Sequence, residues 1–272
     1  MLTAERRTPA PRRERTRRLL RNYGPSAAIV AVGIGLWELL TRALDVPHFI
    51  WPTVSLIAAE MRDEAGSLAS NAAVTLSEVV AGFAIAVAAG LTVGILLHVS
   101  AVLRRGVYPL LIASQSVPTI VLAPVFVTIL GFGIGPKLAI ISLFCFFPIV
   151  VGTVDGLRSV DREYVRMMLT LDASRMAIFR RVEFPSALPQ IFTGTRVGAT
   201  YAAIGAVFGE WAGSGSGLGW QMLQAKGRLD TELVFADIAI ITAMALTLFG
   251  LVALVERLSI PWARGGGGGA ME

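Results

Sequence analysis

The sequence has few residues that could carry out catalysis. Its single cysteine, Cys145, lies within an apolar stretch and can form neither an internal disulfide nor a thiol pair for a metal ion. No Gly-x-x-x-x-Gly-Lys-Ser/Thr motif occurs, so the chain cannot hold ATP by a P-loop, and energy for any work must come from another polypeptide or an ion gradient. No Ser/His/Asp set or carboxylate pair is evident. The sequence therefore argues against an enzyme.

Charged residues are also scarce. They make up 16% of the 272 residues, against about a quarter in soluble domains, while hydrophobic residues make up 54%. Several apolar stretches of about 18 residues or more are long enough to cross a hydrocarbon core roughly 30 Å thick. The composition predicts an all-α integral membrane protein built as one compact domain.

The apolar pattern predicts six membrane spans, with an extracytoplasmic segment over residues 45–75 between the first two. The spans cover residues 25–44, 76–98, 108–131, 137–155, 191–212 and 234–256. Gly82, Gly90 and Gly94 leave room on the second span for close approach of another helix.

Three prolines fall within the third and fourth spans, namely Pro118, Pro124 and Pro148. Each would free a backbone carbonyl, which neighbouring helices or a water-lined cavity must satisfy. The pattern is compatible with packing kinks and with a translocation path.

The distribution of arginine and lysine orients the spans. If the basic tail over residues 1–24 is cytoplasmic, 18 basic residues lie inside and only 5 outside. The positive-inside rule then places both termini and residues 156–190 in the cytoplasm, and His48 and His98 on opposite sides, which excludes a shared metal site. The basic tail is interpreted as a membrane-surface anchor without nucleic-acid binding, and residues 259–272 as a flexible cytoplasmic tail.

Glu210 and Trp211 stand out near the outer end of the fifth span, followed by a glycine-rich stretch. A carboxylate in a membrane helix is costly and usually faces an interior cavity, so Glu210 is a candidate for the translocation path or an outer gate. Alternatively, Glu210 is a partly hydrated interfacial residue beside an aromatic anchor, Trp211. Glu78, Arg196 and Asp237 are further ionisable groups near span ends.

Residues 156–190 form the one long polar segment between spans. Apolar residues there recur every three or four positions among six arginines, which predicts short amphipathic helices. Asp172 and Ser174 are expected to cap them, and Pro185 and Pro189 to stop helix growth before the fifth span. A pair of helices lying on the membrane surface would also explain the charge.

This segment resembles the cytoplasmic "EAA" loop of permease subunits of bacterial ATP-binding-cassette (ABC) importers. The family pattern is Glu-Ala-Ala, three residues, Gly, nine residues and Ile-x-Leu-Pro. Its Gly falls on Asp172, followed by Ala173-Ser174-Arg175, and its last residues fall on Ala187 and Leu188-Pro189. Its Glu-Ala-Ala falls on Arg166-Met167-Met168, which does not match. The resemblance covers roughly residues 50 to 258.

The resemblance implies a type I ABC importer permease in the bacterial inner membrane, in the nitrate, sulfonate and taurine branch and most like its riboflavin and thiamine-precursor pyrimidine relatives. It implies a lipid-embedded pore of two permease copies, a solute-binding protein outside and a cytoplasmic ATP-binding subunit. ATP and Mg²⁺ would bind in that subunit, with no cofactor in this chain. The expected coupling residues are Asp172, Ala173, Ser174, Arg175, Met176 and Phe179, and the expected loop end or hinge is Pro185, Leu188 and Pro189.

Two other classes of function remain as alternatives. An ion-coupled secondary transporter would need internal repeats or carboxylates at mid-membrane depth, and neither is evident in the sequence. A membrane scaffold that recruits a cytoplasmic partner would leave the proline-containing spans unused.

Overall fold

A computed structural model describes residues 12–262 of the chain, and the side chains from residue 24 onward. Every regular element in this part of the chain is helical. The predicted all-α membrane fold is confirmed.

Within residues 12–262, eleven α-helices follow one another, and a 3₁₀ turn and a π turn connect some of them. A 3₁₀ turn over Thr119–Val121 precedes the fifth helix, and a π turn over Phe179–Glu183 joins the eighth to the ninth. The helices are α1 (Arg12–Ala43), α2 (Val54–Asp63), α3 (Ala65–Val99), α4 (Ala101–Ser114), α5 (Leu122–Leu130), α6 (Ile134–Arg158), α7 (Arg162–Thr170), α8 (Arg175–Ile178), α9 (Phe184–Trp211), α10 (Leu218–Gly227) and α11 (Thr231–Ser259).

Four helices of the described chain are long and apolar enough to cross a membrane alone: α1 from Gly24, α3, α6 and α11. The bent pair formed by α4 and the segment Thr119–Leu130 would be a fifth span. The predicted span 191–212 corresponds to the carboxyl-terminal part of α9 and its cap residue Ala212, and α9 is rich in glycine, alanine and threonine. Because α9 packs against protein along much of its length, it needs less apolar surface than a lipid-facing helix.

The predicted third span, 108–131, is not one helix. The chain bends by 83° between α4 and the segment that ends with α5. Pro118 lies at the bend with φ −60° and ψ 109°, because proline cannot donate to a helical hydrogen bond and disfavours helical geometry in the residue before it. Pro124 lies in the first turn of α5, where its missing N–H costs nothing.

Helices α3, α6 and α9 form the centre of the bundle. Gly82, Gly90 and Gly94 lie on the α3 face against α6, as predicted, where added Cβ atoms would come within 2.6–2.7 Å of Ile141, Ile149 and Thr153. The stripe lets the two backbones approach closely along several turns.

Different segments form the two ends of the bundle, which we call the loop end and the α10 end. The loop end carries residues 156–190, the carboxyl ends of α3 and α6 and the start of α4; the α10 end carries α2, α10 and the starts of α3, α6 and α11. Part of the predicted tail 1–24 belongs to α1, which begins at Arg12. Residues 1–11 and 263–272, including Gly265–Gly269, lie outside the described residues.

Candidate functional site

Two short helices with defined caps form the polar loop. The carboxylate of Asp161 accepts from the N–H of Glu163 at 2.8 Å and begins α7. The hydroxyl of Ser174 accepts from the N–H of Ala177 at 3.3 Å and begins α8. The predicted amphipathic helices and the cap at Ser174 are therefore present.

Asp172 does not cap the amino terminus of a helix with its side chain; it ends α7 as the left-handed residue of a carboxyl-terminal cap, and its N–H donates to the Leu169 carbonyl at 3.1 Å. Its φ is +54°, in the left-handed region, and the N–H of Ala173 donates to the Met168 carbonyl at 3.1 Å. Glycine adopts this conformation without steric cost, and aspartate is among the side chains that tolerate it best. This geometry explains how aspartate stands where the resembled pattern has glycine.

The turn presents apolar side chains to the outside. Met176 is 65% exposed, and Leu171 and Met167 are also exposed. Beside them a cavity of about 590 Å³ is lined by Ser174, Met176, Ala177, Arg180 and Arg181. An exposed apolar ridge bordered by arginines is the arrangement that a helix-in-groove contact uses.

Of the predicted coupling residues, Phe179 lies apart from this surface. The centroid of its ring lies 5.8 Å from the ring centroid of Phe184 and 6.4 Å from that of His98. It packs against the buried cluster of Leu157, Ala187 and Ile191, under the loop. Phe179 thus fastens the loop to the bundle, while Asp172, Ser174, Arg175 and Met176 are exposed and Ala173 is half-buried.

The expectation that Pro185 and Pro189 stop helix growth is wrong. The backbone stays helical from Arg175 through the π turn into α9, where the N–H of Phe184 donates to the Phe179 carbonyl. Pro185 lies in the first turn of α9, and the wider π turn before it accommodates a residue without an N–H. Pro189 and Leu188 lie inside α9, so the predicted hinge residues belong to a continuous helix.

Glu210 is buried at the other end of α9, with 1% of its surface exposed, so it is not a partly hydrated interfacial residue. Its carboxylate accepts from the Thr75 hydroxyl at 2.6 Å and from the N–H groups of Gly219 at 2.5 Å and Trp220 at 3.1 Å. It therefore binds the amino-terminal end of α10, where free N–H groups and the helix dipole stabilise an anion.

Gly217 is required beside that carboxylate. Its φ is +107°, and a Cβ there would collide with the carboxylate of Glu210. Its N–H donates to Asn71 Oδ1 at 2.8 Å, and Asn71 Nδ2 donates to Gln221 Oε1 at 2.6 Å. We call Asn71, Thr75, Glu210, Gly217 and Gln221 the α10 network; it joins α3, α9 and α10.

Of the other candidates for the translocation path, Trp211 lies beside Glu210 at the start of α10, whereas the three prolines lie elsewhere. The indole N–H of Trp211 donates to the Gly219 carbonyl at 2.9 Å, so Trp211 also holds α10. Pro118 is exposed at the bend and Pro124 is exposed on α5, whereas the Pro148 carbonyl lies against Gly194 at the α6–α9 contact.

A buried ion pair joins α6 to α3. Lys137 Nζ lies 2.6 Å from Glu78 Oε1, and both side chains are buried. The sequence pattern marked Glu78 as an ionisable group near a span end but gave no sign of its partner, which is 59 positions away. The pair lies in the interior of the bundle, where each charge neutralises the other.

Asp237 is a third buried carboxylate among the described residues. It is fully buried in α11, and neither oxygen has a hydrogen-bond partner within the part of the chain that the structure describes.

Comparison with known proteins identifies the family. Residues 82–259 match the family described as the binding-protein-dependent transport system inner membrane component. The match covers the chain from the middle of α3 to the end of α11, and so includes the loop and the α9–α10 turn.

Curated relatives carry the names of transport permeases. The formylaminopyrimidine transport permease ThiX of Halalkalibacterium halodurans is 33% identical over 84% of this chain and 92% of its own length. The riboflavin transport system permease RibX of Chloroflexus aurantiacus is 35% identical over 83% of this chain and 85% of its own. The taurine transport system permease TauC of Escherichia coli is 30% identical over 91% of each chain.

Among solved structures, an inward-facing form of the MetNI methionine ABC transporter contains a chain of the same fold, with a TM-score of 0.59 at 20% identity. The match covers 68% of this chain and 92% of that one. The family match, the curated relatives and the fold agree: the chain belongs to the inner membrane components of binding-protein-dependent transport systems, and it is an ABC importer permease subunit, not an enzyme.

Proposed function

We propose that this permease forms half of a translocation pore and receives the movement of a separate ATPase through its α7–α8 turn. The observation that carries the proposal is the exposed turn itself, which is fixed at the start of a helix that runs without interruption into α9. A shift of the turn would therefore be passed to a central helix of the bundle.

The contact is proposed to involve Asp172, Ala173, Ser174, Arg175 and Met176. Met176 supplies exposed apolar surface, and Arg175, Arg180 and Arg181 supply positive charge around it. The partner is a cytoplasmic ATP-binding subunit that holds ATP and Mg²⁺. This assignment puts residues 156–190 and both termini in the cytoplasm, as arginine counting favours.

The remaining partners follow from the same assignment. A second copy of the permease completes the pore, and an extracytoplasmic solute-binding protein delivers the cargo at the α10 end. The cargo favoured by the relatives is a riboflavin-type or pyrimidine-type vitamin precursor, with nitrate, a sulfonate or taurine as the alternative. The ligand retained by the purified binding protein, measured by mass spectrometry, decides between these classes.

Docking is tested by Arg175→Glu combined with Met176→Asp. The double variant should lose co-purification with the ATPase, because acidic groups replace both the cation and the apolar side chain of the contact. Membrane insertion and the elution profile of the permease should not change. If the double variant retained the ATPase at the wild-type ratio, the proposed contact would be contradicted.

The matched control is Arg62→Glu combined with Leu56→Asp on α2. Both residues are exposed, and both lie at the α10 end, away from the loop. The change in charge and apolar surface is the same, so loss of the ATPase in this variant would point to general destabilisation.

A further inference from the structure

A second cavity at the loop end has a charge composition that coupling does not require. It has a volume of about 430 Å³ and lies among the ends of α3, α4, α6 and α7. Its lining includes four arginines from three helices: Arg104, Arg158, Arg162 and Arg166.

These arginines are not neutralised by salt bridges among the described residues. None of the four forms an ion pair within the described chain. The one carboxylate that lines the cavity, Glu183, lies 3.2 Å from Nε2 of His98. Asp161, on the same loop, is engaged at the start of α7. Four guanidinium groups therefore share a cavity with a single, already engaged carboxylate.

The surroundings of the cavity indicate which anion would enter. Val99 and Val102, on either side of the α3–α4 junction, are exposed, and Val102 is 82% exposed. Leu110, two turns further along α4, is also exposed. Apolar side chains on a membrane-spanning chain are suited to contact with acyl chains, and these lie beside the cationic cavity.

We infer that this cavity binds the phosphate group of an anionic phospholipid, with the acyl chains lying along α4. Guanidinium groups form paired hydrogen bonds with phosphate oxygens, and basic pockets between membrane helices suit anionic headgroups. A lipid held there would tie α7, which leads into the coupling turn, to the fixed ends of α3, α4 and α6. This inference does not depend on the cargo or on the ATPase contact.

The test is native mass spectrometry of the full-length permease in detergent, with phosphatidylglycerol or phosphatidylcholine of the same acyl chains. The protein should retain phosphatidylglycerol in preference. The variant Arg158→Gln/Arg162→Gln/Arg166→Gln should retain it at least ~10-fold less, because each arginine near a membrane surface contributes favourably to anionic lipid binding. Equal retention of both lipids, or full retention by the variant, overturns the inference.

A matched control removes three arginines from the other side of the same loop: Arg175→Gln/Arg180→Gln/Arg181→Gln. It should retain phosphatidylglycerol as the wild type does, and an equal loss would show a general effect of charge. Inorganic phosphate that displaces the lipid at equal concentration would show a free-anion site and overturn the lipid assignment.

If the triple variant does not fold, the inference is tested with the single variant Arg104→Gln and with the salt dependence of phosphatidylglycerol retention by the wild type. Raising the ionic strength from about 0.1 M to about 1 M shortens the screening length from ~10 Å to ~3 Å. Phosphatidylglycerol retention should then fall toward that of phosphatidylcholine, and unchanged retention contradicts an electrostatic site.

Discussion

The hydroxyl of Thr75 donates to Oε1 of Glu210 across 2.6 Å and at the same time accepts from the N–H of Leu218 at 2.8 Å. One hydroxyl thus links α3, the end of α9 and the start of α10. The link explains why a carboxylate near the end of an apolar helix is buried: every one of its contacts is a donor fixed by the fold.

Glu210→Gln should destabilise this end of the bundle. One carboxylate oxygen becomes an NH₂ group, which must face either the N–H groups of Gly219 and Trp220 or the Thr75 hydroxyl. Leaving a buried donor unpaired costs about 1–3 kcal/mol. The free energy of unfolding in detergent should fall by that amount and cargo uptake should decrease, while the ATPase still co-purifies.

The control for this variant is Glu232→Gln on α11. Glu232 interacts with exposed His48 at the same end of the molecule and is less buried than Glu210, so its change should cost less. Wild-type stability and uptake in Glu210→Gln would mean that the carboxylate charge has no role in the α10 network.

Lys137→Met should be strongly destabilising because it leaves Glu78 as an uncompensated buried charge. Removing one partner of a buried ion pair typically costs about 3–5 kcal/mol. The double variant Lys137→Met/Glu78→Leu should recover much of the loss, since apolar residues of similar size often replace such a pair at little cost. A double-mutant cycle of unfolding free energies measures the coupling, and additive losses would show that the two charges do not interact.

Gly194→Ala should disturb the contact between α6 and α9. The added methyl group would collide with the Pro148 carbonyl and lie 3.0 Å from Cα of Gly152. Both neighbours are backbone and cannot rotate away, so the loss should be about 1–3 kcal/mol or more.

Gly66→Ala is the matched substitution, because nothing lies within 4 Å of a Cβ at Gly66 on α3. There alanine should be neutral or stabilising by up to about 1 kcal/mol through its helix propensity. Thermal unfolding of the two variants side by side separates helix packing from propensity. Similar melting temperatures would contradict the close approach at Gly194.

Local patterns predicted much of this fold because their physical causes are local. The apolar stretches, the stripe of Gly82, Gly90 and Gly94, and the cap at Ser174 depend on composition, spacing or a neighbouring N–H. The bend at Pro118 was predictable as an irregularity, but its angle depends on what packs around it. Pro185 was misinterpreted because proline ends a helix in the interior but is tolerated in the first turn.

The polar interior could not be predicted from local patterns. Lys137 and Glu78 meet only because the glycine stripe brings α6 against α3, and Asn71 meets Gln221 across 150 positions of sequence. Asp172 has a residue type that suits both an amino-terminal side-chain cap and a left-handed turn, and only the backbone geometry distinguishes them. One sequence taken alone contains no local signal that pairs residues so far apart.

The continuous helical path from Arg175 to Trp211 has a mechanical consequence. At about 1.5 Å per residue it extends up to roughly 55 Å, from one end of the bundle to the other. Glycines from Gly194 to Gly209 bring α9 close to α6 over several turns, so the two helices are held together along most of this path. A displacement of α8 would therefore have to move α6 together with α9, and the pair would carry Glu210 and the start of α10 as one unit.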